Sequence, residues 1–327
     1  MRAAVHTRYG PPDVVQVTEV AQPVPRDDEL LIRVHATTVN RTDAATRSAT
    51  PFFARLITGL VRPKATILGN EFAGEVVAVG GGVRSFEVGN RVFGYVEGRF
   101  GAHAEYLTVA EDASVAQMPA GWTFDEVAAA TEGSHYALAF LEKGHVEAGQ
   151  SVLVNGATGA IGSAAVQLAK NVGARVTATC ATEHVDLVAG LGAERVIDYT
   201  VQDFTQDEQC YDAVLDTVGK SSFRRCRRLL RPNGVYLSSE LGFLWQNPLL
   251  ALVSPLFRGK KVVFPMPRHD QEMMESFKAL MESGAFKPLV DRTYPLDQIV
   301  GAYRYVETGE KIGNVVISVG DEGDPTR

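Results

Sequence analysis

Residues 151–162 read Ser151-Val152-Leu153-Val154-Asn155-Gly156-Ala157-Thr158-Gly159-Ala160-Ile161-Gly162, and this stretch decides the fold. Its apolar start is typical of a strand buried on both faces of a parallel sheet. The glycines permit a tight turn, a close approach of the backbone to a pyrophosphate and close helix–strand packing. A helix predicted over Ser163–Asn171 directs its N–H groups at the phosphates. The stretch therefore predicts a dinucleotide site at residues 156–162, with a purely structural turn as the alternative.

The composition is that of a soluble enzyme of about two domains. The 327 residues carry a net charge of −7, which gives no general attraction to nucleic acid or anionic lipid. Cys180, Cys210 and Cys226 lie far apart and include no Cys-x-x-Cys pair, which predicts a reducing compartment. The N-terminus lacks the apolar core of a signal peptide, so the expected location is the cytoplasm.

Two kinds of segment divide the chain. Up to residue 124, short alternating runs between proline and glycine turns predict an irregular, mostly antiparallel β region. From 125 to 264, apolar strands alternate with helical stretches, which predicts parallel βαβ units. The predicted strands of this part are Val152–Asn155, Arg175–Thr179, Arg195–Asp198, Ala213–Asp216, Val235–Ser238 and Lys261–Phe264. The last segment, 265–327, is predicted to hold helices at Gln271–Ser283 and Leu296–Thr308 and a strand at Asn314–Val319.

Several motifs, taken in their order and spacing, resemble the medium-chain dehydrogenase/reductase superfamily and its zinc-free quinone-oxidoreductase-like branch. They are Val39-Asn40-Arg41-Thr42-Asp43, Leu68-Gly69-Asn70-Glu71-Phe72-Ala73-Gly74-Glu75-Val76, Val88-Gly89-Asn90-Arg91-Val92, the glycine turn, Asp216-Thr217-Val218-Gly219 and Gly313-Asn314-Val315-Val316-Ile317. The resemblance implies an α/β fold with a Rossmann-type, doubly wound parallel sheet over 125–264. It also implies a discontinuous β-rich, GroES-like catalytic domain over 1–124 and 265–327.

Asparagines replace two metal ligands of the zinc alcohol dehydrogenases in this superfamily. Those enzymes place a cysteine at the position of Asn40 and a histidine at that of Asn70, and neutral amides are poor zinc ligands. The lobe that elsewhere holds four cysteines on a structural zinc is reduced to Gly94–Gly101, with none. We therefore expect no metal site.

The resemblance, together with the expected loss of zinc, indicates the reaction. Without a Lewis acid to stabilise an alkoxide, reducing an activated double bond is easier than oxidising a simple alcohol. Charge then gathers on a carbonyl oxygen, where hydrogen-bond donors and one proton donor suffice. The predicted function is NADPH-dependent hydride transfer to a small lipophilic quinone or α,β-unsaturated carbonyl. The alternatives are an enoyl-thioester reductase of the same fold and a non-catalytic, structural or regulatory NADPH-binding protein.

Asn40 and His135 are the predicted catalytic residues. The resemblance places Asn40 beside the nicotinamide, where its amide can donate to the substrate carbonyl; the alternative is an asparagine that only caps a loop. Counted back from the glycine turn, His135 falls where relatives carry a threonine near the nicotinamide. An imidazole with a pKa of about 6.5 can donate a proton to the oxyanion, and the alternative is a structural histidine. His103 is expected to line the pocket at most.

The end of the second Rossmann strand indicates the cofactor. NAD-specific relatives end it with an aspartate that binds the ribose hydroxyls, whereas Cys180 stands here and leaves room for a 2′-phosphate. Thr182 can donate to that phosphate, and Tyr199 matches a tyrosine that contacts it in relatives. A basic residue is missing after the strand, where Glu183 stands, so NADPH is predicted with NADH as the alternative. Ser238, Ser239 and Phe264, at or just beyond strand ends, are expected to frame the nicotinamide half, as are Thr217 and Gly219. Asn314 matches a polar position that in relatives lies near the cofactor or the domain interface.

An apolar insert, Leu241–Phe257, lies between the last two Rossmann strands. It is too short and too broken by proline for a membrane span, and none is expected. One interpretation is burial against its own domain or a second subunit, in line with an expected homodimer. The others are a lid that gives the pocket an apolar wall, and shallow membrane contact.

Overall fold

The computed structural model describes residues 1–96, 98–256 and 259–320 and divides into two compact units. The first comprises Met1–Glu132, His269–Ser283 and the chain from Pro288, and the second comprises Gly133–Arg268 with Gly284–Lys287. The boundaries predicted at 124 and 264 lie a few residues before these. Three parts of the sequence-based description lie outside the described residues, namely Glu97 of the Gly94–Gly101 lobe, Phe257 of the insert and residues 321–327.

In chain order, the strands of the described residues are β1 (Arg2–Val5), β2 (Gln16–Glu19), β3 (Glu29–Val39), β4 (Glu71–Val79), β5 (Arg91–Tyr95), β6 (Tyr106–Ala110), β7 (Val115–Gln117), β8 (Ser151–Asn155), β9 (Arg175–Cys180), β10 (Arg195–Asp198), β11 (Tyr211–Asp216), β12 (Leu230–Ser238), β13 (Lys261–Val263), β14 (Val290–Pro295) and β15 (Asn314–Ser318). The α-helices are α1 (Arg41–Ser48), α2 (Arg55–Thr58), α3 (Phe124–Ala128), α4 (Glu132–Gly144), α5 (Ala160–Asn171), α6 (Val185–Gly190), α7 (Phe223–Cys226), α8 (Gln246–Val253), α9 (Gln271–Glu282) and α10 (Ile299–Thr308). Single 3-10 turns occupy Pro12–Val14, Phe52–Ala54, Thr182–His184, Phe204–Gln206, Arg227–Leu229, Phe243–Trp245, Ser254–Leu256 and Leu296–Gln298.

A seven-stranded sheet forms the first unit. Its strand order is β14-β15-β3-β4-β5-β7, with β6 also paired to β3, and every pair is antiparallel except β14 with β15. The chain's last strand therefore enters the sheet beside β3, where Val316 lies opposite Thr38. The apolar side chains of β3, β4 and β15 form the core, among them Ile32 and Phe72, which are fully buried. The predicted β-rich, mostly antiparallel region is confirmed.

A six-stranded, wholly parallel sheet forms the second unit, as predicted. Its order is β10-β9-β8-β11-β12-β13, which is the doubly wound order. The first three strands are added toward one edge of the sheet and the last three toward the other, so the strand order reverses between β8 and β11. The central strand β8 is buried along its length, with Val152, Leu153 and Val154 fully buried, as expected for a central strand of a parallel sheet. In open α/β sheets, ligands bind outside the carboxyl ends of the strands at such a reversal.

Two predicted element boundaries were wrong. The helix expected from Ser163 begins at Ala160, because Gly159 is extended (φ −74°, ψ 170°) and the chain turns helical directly after it. The strand expected from Val235 begins at Leu230, and it includes Asn233 at φ +67°, which the apolar pattern does not indicate. Within the described residues, no helix combines the length and the apolar character needed to cross a membrane.

Candidate functional site

The three glycines of the turn after β8 serve different purposes. Gly156 has φ +90°, and a Cβ there would lie 2.4 Å from Val218 Cγ1. A Cβ on Gly162 would lie 2.1 Å from the carbonyl oxygen of Gly156. A Cβ on Gly159, by contrast, would meet only that oxygen, at 3.8 Å. Close packing therefore requires glycine at 156 and 162, whereas the space beside Gly159 is open and can take a ligand.

The helix after the turn presents its N-terminus to that space. Gly159 is the N-cap residue of the 12-residue α5 and has no side chain to accept a hydrogen bond from the first turn. Free N–H groups and the positive end of the helix dipole favour an anion at this position. The turn therefore fits the pyrophosphate of a dinucleotide, through the backbone of residues 156–162.

A buried carboxyl below the turn ties the neighbouring strand ends together. Asp216, the last residue of β11, accepts hydrogen bonds from Asn155 Nδ2 at 2.9 Å and from the Tyr236 hydroxyl at 2.8 Å. The backbone N–H groups of Gly219 and Ser221 donate to the same carboxyl at 3.1 Å each. Because four donors satisfy it, this network holds the carboxyl ends of β8, β11 and β12 in one arrangement.

The residues assigned to the adenosine end come together where β9 and β10 end. Cys180 is fully buried, and burial raises the pKa of its thiol to about 11. Tyr199 is half exposed and donates its backbone N–H to the Cys180 carbonyl at 3.0 Å. The hydroxyl of the exposed Thr182 donates to Asp198 Oδ2 at 2.6 Å. The donor assigned to a 2′-phosphate is thus engaged by a carboxylate that the sequence-based site did not include.

The other residues assigned to the cofactor belong to both units. In the second unit, the Thr217 hydroxyl donates to the Asn155 carbonyl at 2.8 Å, and Gly219 has φ +67°. Ser238 ends β12, Ser239 follows it, and Phe264 follows β13 and is half-buried. In the first unit, Asn314 opens β15 and its side chain donates to the Leu289 carbonyl at 3.1 Å.

His135 lies in the first half of α4 and is buried in the second unit. Its ring is tilted by 35° to that of Tyr136, at 4.6 Å between centroids. The catalytic role assigned to it remains a prediction.

Asn40 both caps a helix and contacts a buried carboxyl. It is the N-cap of α1: its Oδ1 accepts the Asp43 N–H at 2.9 Å, and the Asn40 N–H donates to Asp43 Oδ2 at 3.2 Å. Its Nδ2 donates to Glu132 Oε2, and the Thr42 hydroxyl donates to Glu132 Oε1 at 2.6 Å. The capping alternative is therefore correct in its geometry, and an amide hydrogen besides those used here is still available for donation.

Sequence reasoning missed the acidic cluster around Asn40. Glu71 accepts from the backbone N–H of Glu132 at 2.6 Å and from the N–H and hydroxyl of Thr131 at 3.1 and 2.7 Å. Lys311 lies near both glutamates, and burial lowers its pKa to about 8. The available signal was the charged residue Glu132, two positions after the apolar run 127–130, because isolated charges are rarely buried without partners.

His103 is a structural histidine of the first unit. Its Nε2 donates to the Thr38 carbonyl at 2.8 Å, and its Nδ1 lies 3.4 Å from the Tyr303 hydroxyl. Burial lowers the pKa of His103 to about 4, so the ring is neutral at neutral pH. It is buried among these partners, and a place in the pocket lining remains a prediction.

The donor set near Asn40 does not fit zinc. The Asn40 amide is held by Asp43 and Glu132, and Asn70 is buried with no hydrogen-bond partner for its Oδ1 among the described residues. In the part of the chain that the structure describes, no three His, Cys, Asp or Glu side chains are placed to hold a metal ion. Amide groups alone do not supply the thiolate or imidazole ligands that zinc prefers.

The apolar insert is partly anchored and partly exposed. Ser254 bonds to the backbone N–H and carbonyl of Val262, and Leu250 packs against the core of the second unit. Its exposed large apolar side chains, within the described residues, are Phe243, Leu244, Trp245, Leu249, Leu252, Val253 and Leu256. Burial against its own unit therefore accounts for one face of the insert and leaves the other open.

The comparisons with known proteins agree with this architecture. Residues 26–120 match the family description "Alcohol dehydrogenase GroES-like domain", and residues 191–317 match "Zinc-binding dehydrogenase". The 2-methylene-furan-3-one reductase of Solanum lycopersicum is 32% identical over 97% of this chain and 79% of its own. The NADPH-dependent alkenal/one oxidoreductase, chloroplastic, of Arabidopsis thaliana is 30% identical to this chain, and the match covers 97% of this chain and 79% of the Arabidopsis protein. The solved structure of the quinone oxidoreductase from Coxiella burnetii is 26% identical in sequence and has a TM-score of 0.86. The match covers 98% of this chain and 99% of the Coxiella chain.

These similarities, with the fold and the glycine turn, define an oxidoreductase that uses a nicotinamide cofactor. The chain belongs to the medium-chain dehydrogenase/reductase superfamily, in its quinone-oxidoreductase-like branch.

Proposed function

We propose that this protein is a zinc-independent reductase that transfers hydride from NADPH to a quinone or to an α,β-unsaturated carbonyl. The observation that carries the proposal is the Asn40 amide, held by Asp43 and Glu132 at the position where zinc-dependent relatives have a metal ligand. An amide donor suits a substrate whose carbonyl oxygen gains negative charge, and the reaction then needs no metal-bound alkoxide.

The nicotinamide, when bound, supplies the hydride that adds to the β-carbon of the enone or to the quinone ring. The protein's own groups do the rest. The Asn40 amide donates a hydrogen bond to the carbonyl oxygen, and His135 supplies a proton to the product anion. The backbone of residues 156–162 binds the pyrophosphate and so fixes the cofactor for hydride transfer.

The choice of NADPH is supported by the small neutral side chain at Cys180 and by the printed name of the Arabidopsis relative. Asp198, which accepts from Thr182, opposes it because a carboxylate repels a 2′-phosphate. Titration with both cofactors tests the choice: we expect tighter binding of NADPH, and equal or tighter binding of NADH would overturn it.

A substrate panel tests the reaction. We expect the purified protein to oxidise NADPH with a quinone and with an enone, and more slowly with an enoyl-CoA. Preference for the enoyl-CoA would favour the thioester reductase, and cofactor binding without turnover of any substrate would favour the non-catalytic protein.

We also propose a cytoplasmic homodimer. The three free cysteines are consistent with a reducing compartment, and the exposed apolar face of the insert is consistent with a second subunit. Light scattering of the purified protein tests the dimer, and the mass of a monomer at micromolar concentration would contradict it.

A further inference from the structure

Glu132 holds the Asn40 amide from one side. It is the first residue of α4 and is buried, and its two carboxyl oxygens contact two different residues at the start of α1. Oε2 accepts from Asn40 Nδ2, and Oε1 accepts from the Thr42 hydroxyl at 2.6 Å. The carboxyl therefore bridges the N-cap residue of α1 and a residue in its first turn.

The hydrogen bonds of the Asn40 side chain prevent its amide from flipping. Its Oδ1 accepts the Asp43 N–H at 2.9 Å, so a flipped amide would place NH₂ against that N–H. The flip would also place the amide oxygen against the Glu132 oxygen that now accepts its hydrogen. Asn40 is thus fixed as a donor on the Nδ2 side, and its second amide hydrogen has a fixed direction.

The backbone of Glu132 is itself held in place. Glu71 accepts its N–H at 2.6 Å and also accepts from the Thr131 hydroxyl at 2.7 Å and from the Thr38 hydroxyl. Side chains supported in this way hold a donor close to one geometry, which a donor needs if it is to meet a charge that develops during the reaction.

We propose that Glu132 is a positioning residue that locks the Asn40 amide as the hydrogen-bond donor for the substrate oxygen. The inference rests on the proposed function, because it assigns Glu132 to the Asn40 donor of that same reaction.

The surroundings decide the protonation state of Glu132. The charged groups that face it are Glu71 of β4, Asp43 of α1 and Lys311 before β15. Burial raises the pKa of Glu132 well above its ordinary value, and Glu71 and Asp43 raise it further, whereas the Thr42 hydroxyl and Lys311 lower it. In the protonated form Oε2 still accepts the amide hydrogen of Asn40, so the proton lies on Oε1, which then donates to the Thr42 hydroxyl oxygen instead of accepting from it.

A neutral Glu132 suits the reaction better than a charged one. It still accepts from Asn40, but it does not add negative charge beside the oxyanion that hydride transfer creates. As pH rises through the raised pKa of Glu132, the carboxylate forms and opposes that oxyanion. The rate should therefore fall on the alkaline side, and a glutamine should remove the fall because it mimics the protonated acid.

The first test compares wild type, Glu132→Gln and Glu132→Leu, with Glu126→Gln of α3 as the matched control. The measurements are kcat, KM and their pH profiles with NADPH and one enone. We expect Glu132→Leu to lower kcat about 10- to 100-fold with little change in KM for NADPH. Glu132→Gln should keep most of kcat and lose the alkaline fall, and Glu126→Gln should keep both. Glu132→Leu as fast as wild type, Glu132→Gln as slow as Glu132→Leu, or an alkaline fall retained in Glu132→Gln would each overturn the proposal.

The second test does not depend on activity, so it separates this inference from the proposed function. Protein labelled with ¹⁵N-asparagine reports the Asn40 side-chain NH₂ group by NMR as pH is varied. Asp43 titrates near this group too, because burial raises its pKa to about 7, so the informative quantity is the difference between wild type and Glu132→Gln. We expect the chemical shift of the Asn40 NH₂ group to have a pH-dependent component in wild type that is absent from Glu132→Gln. Identical titration curves in the two proteins would overturn the proposal.

Discussion

The glycine turn of the second unit and the Asn40 site of the first unit prepare for a ligand in opposite ways. The turn has no side chain at Gly159, so the space beside this residue is open and the backbone N–H groups of the first turn of α5 can bind an anion. The Asn40 site adds side chains, since Glu132, Asp43 and Thr42 surround one amide and fix its direction. A binding site for a constant group such as pyrophosphate can be made of backbone, whereas a donor for one reacting oxygen has to be held by neighbours.

The largest expected effect comes from filling the open space of the turn. Gly159→Asp should abolish NADPH binding, because its side chain and charge would occupy the pyrophosphate site. It should leave the fold largely intact, because the added Cβ would not clash with protein atoms. Gly190→Asp is the matched control, since Gly190 is also open and in the same unit but lies at the end of α6. Cofactor titration and circular dichroism measure the two effects. Wild-type affinity in Gly159→Asp would remove the turn from the binding site.

The next effect separates the cap from the donor at Asn40. Asn40→Ala should lower the rate constant about 10- to 1000-fold, more than it weakens NADPH binding, because one oxyanion donor is lost. Asn40→Ser keeps a side-chain oxygen that can accept the Asp43 N–H but has no amide hydrogen to donate. It should therefore recover thermal stability but not the rate, and recovery of the rate would show that Asn40 acts only as a helix cap.

A smaller effect, dependent on the substrate, is expected at His135. His135→Ala should slow the reduction of an enone and change the pH dependence of the rate, because the group proposed to protonate the product anion is lost. A quinone should be affected less, because its reduced anion is a weaker base and takes a proton from water. The pH–rate profile of the variant is compared with that of wild type and of His184→Ala. Matching profiles and rates in all three proteins would leave His135 as a packing residue.

The smallest expected effect is that of metal removal. A chelator should leave the rate unchanged, and elemental analysis should find no stoichiometric zinc, because Asn40 and Asn70 offer amides where zinc ligands are needed. One tightly held zinc per chain, with activity lost on chelation, would contradict this prediction.

The sequence alone determined the second unit well. Buried parallel strands are read from short apolar runs, and the glycines at 156, 159 and 162 follow one of those runs directly, so both signals are local in the chain. The class of reductase and the asparagines at the metal-ligand positions were likewise read from short motifs. The boundaries at Ala160 and Leu230 were missed because helix and strand ends depend on cap geometry and register.

Only the tertiary structure decided how the first unit's polar groups are paired. Glu132 is far in sequence from Asn40 and Thr42, and Glu71 is far from Glu132, so no periodicity connects them. The same holds for Asp198, which engages Thr182, and for Tyr236, which donates to Asp216. A buried carboxyl acquires its pKa and its role from the donors and charges that the fold brings to it, and those neighbours are set by sheet pairing rather than by local sequence.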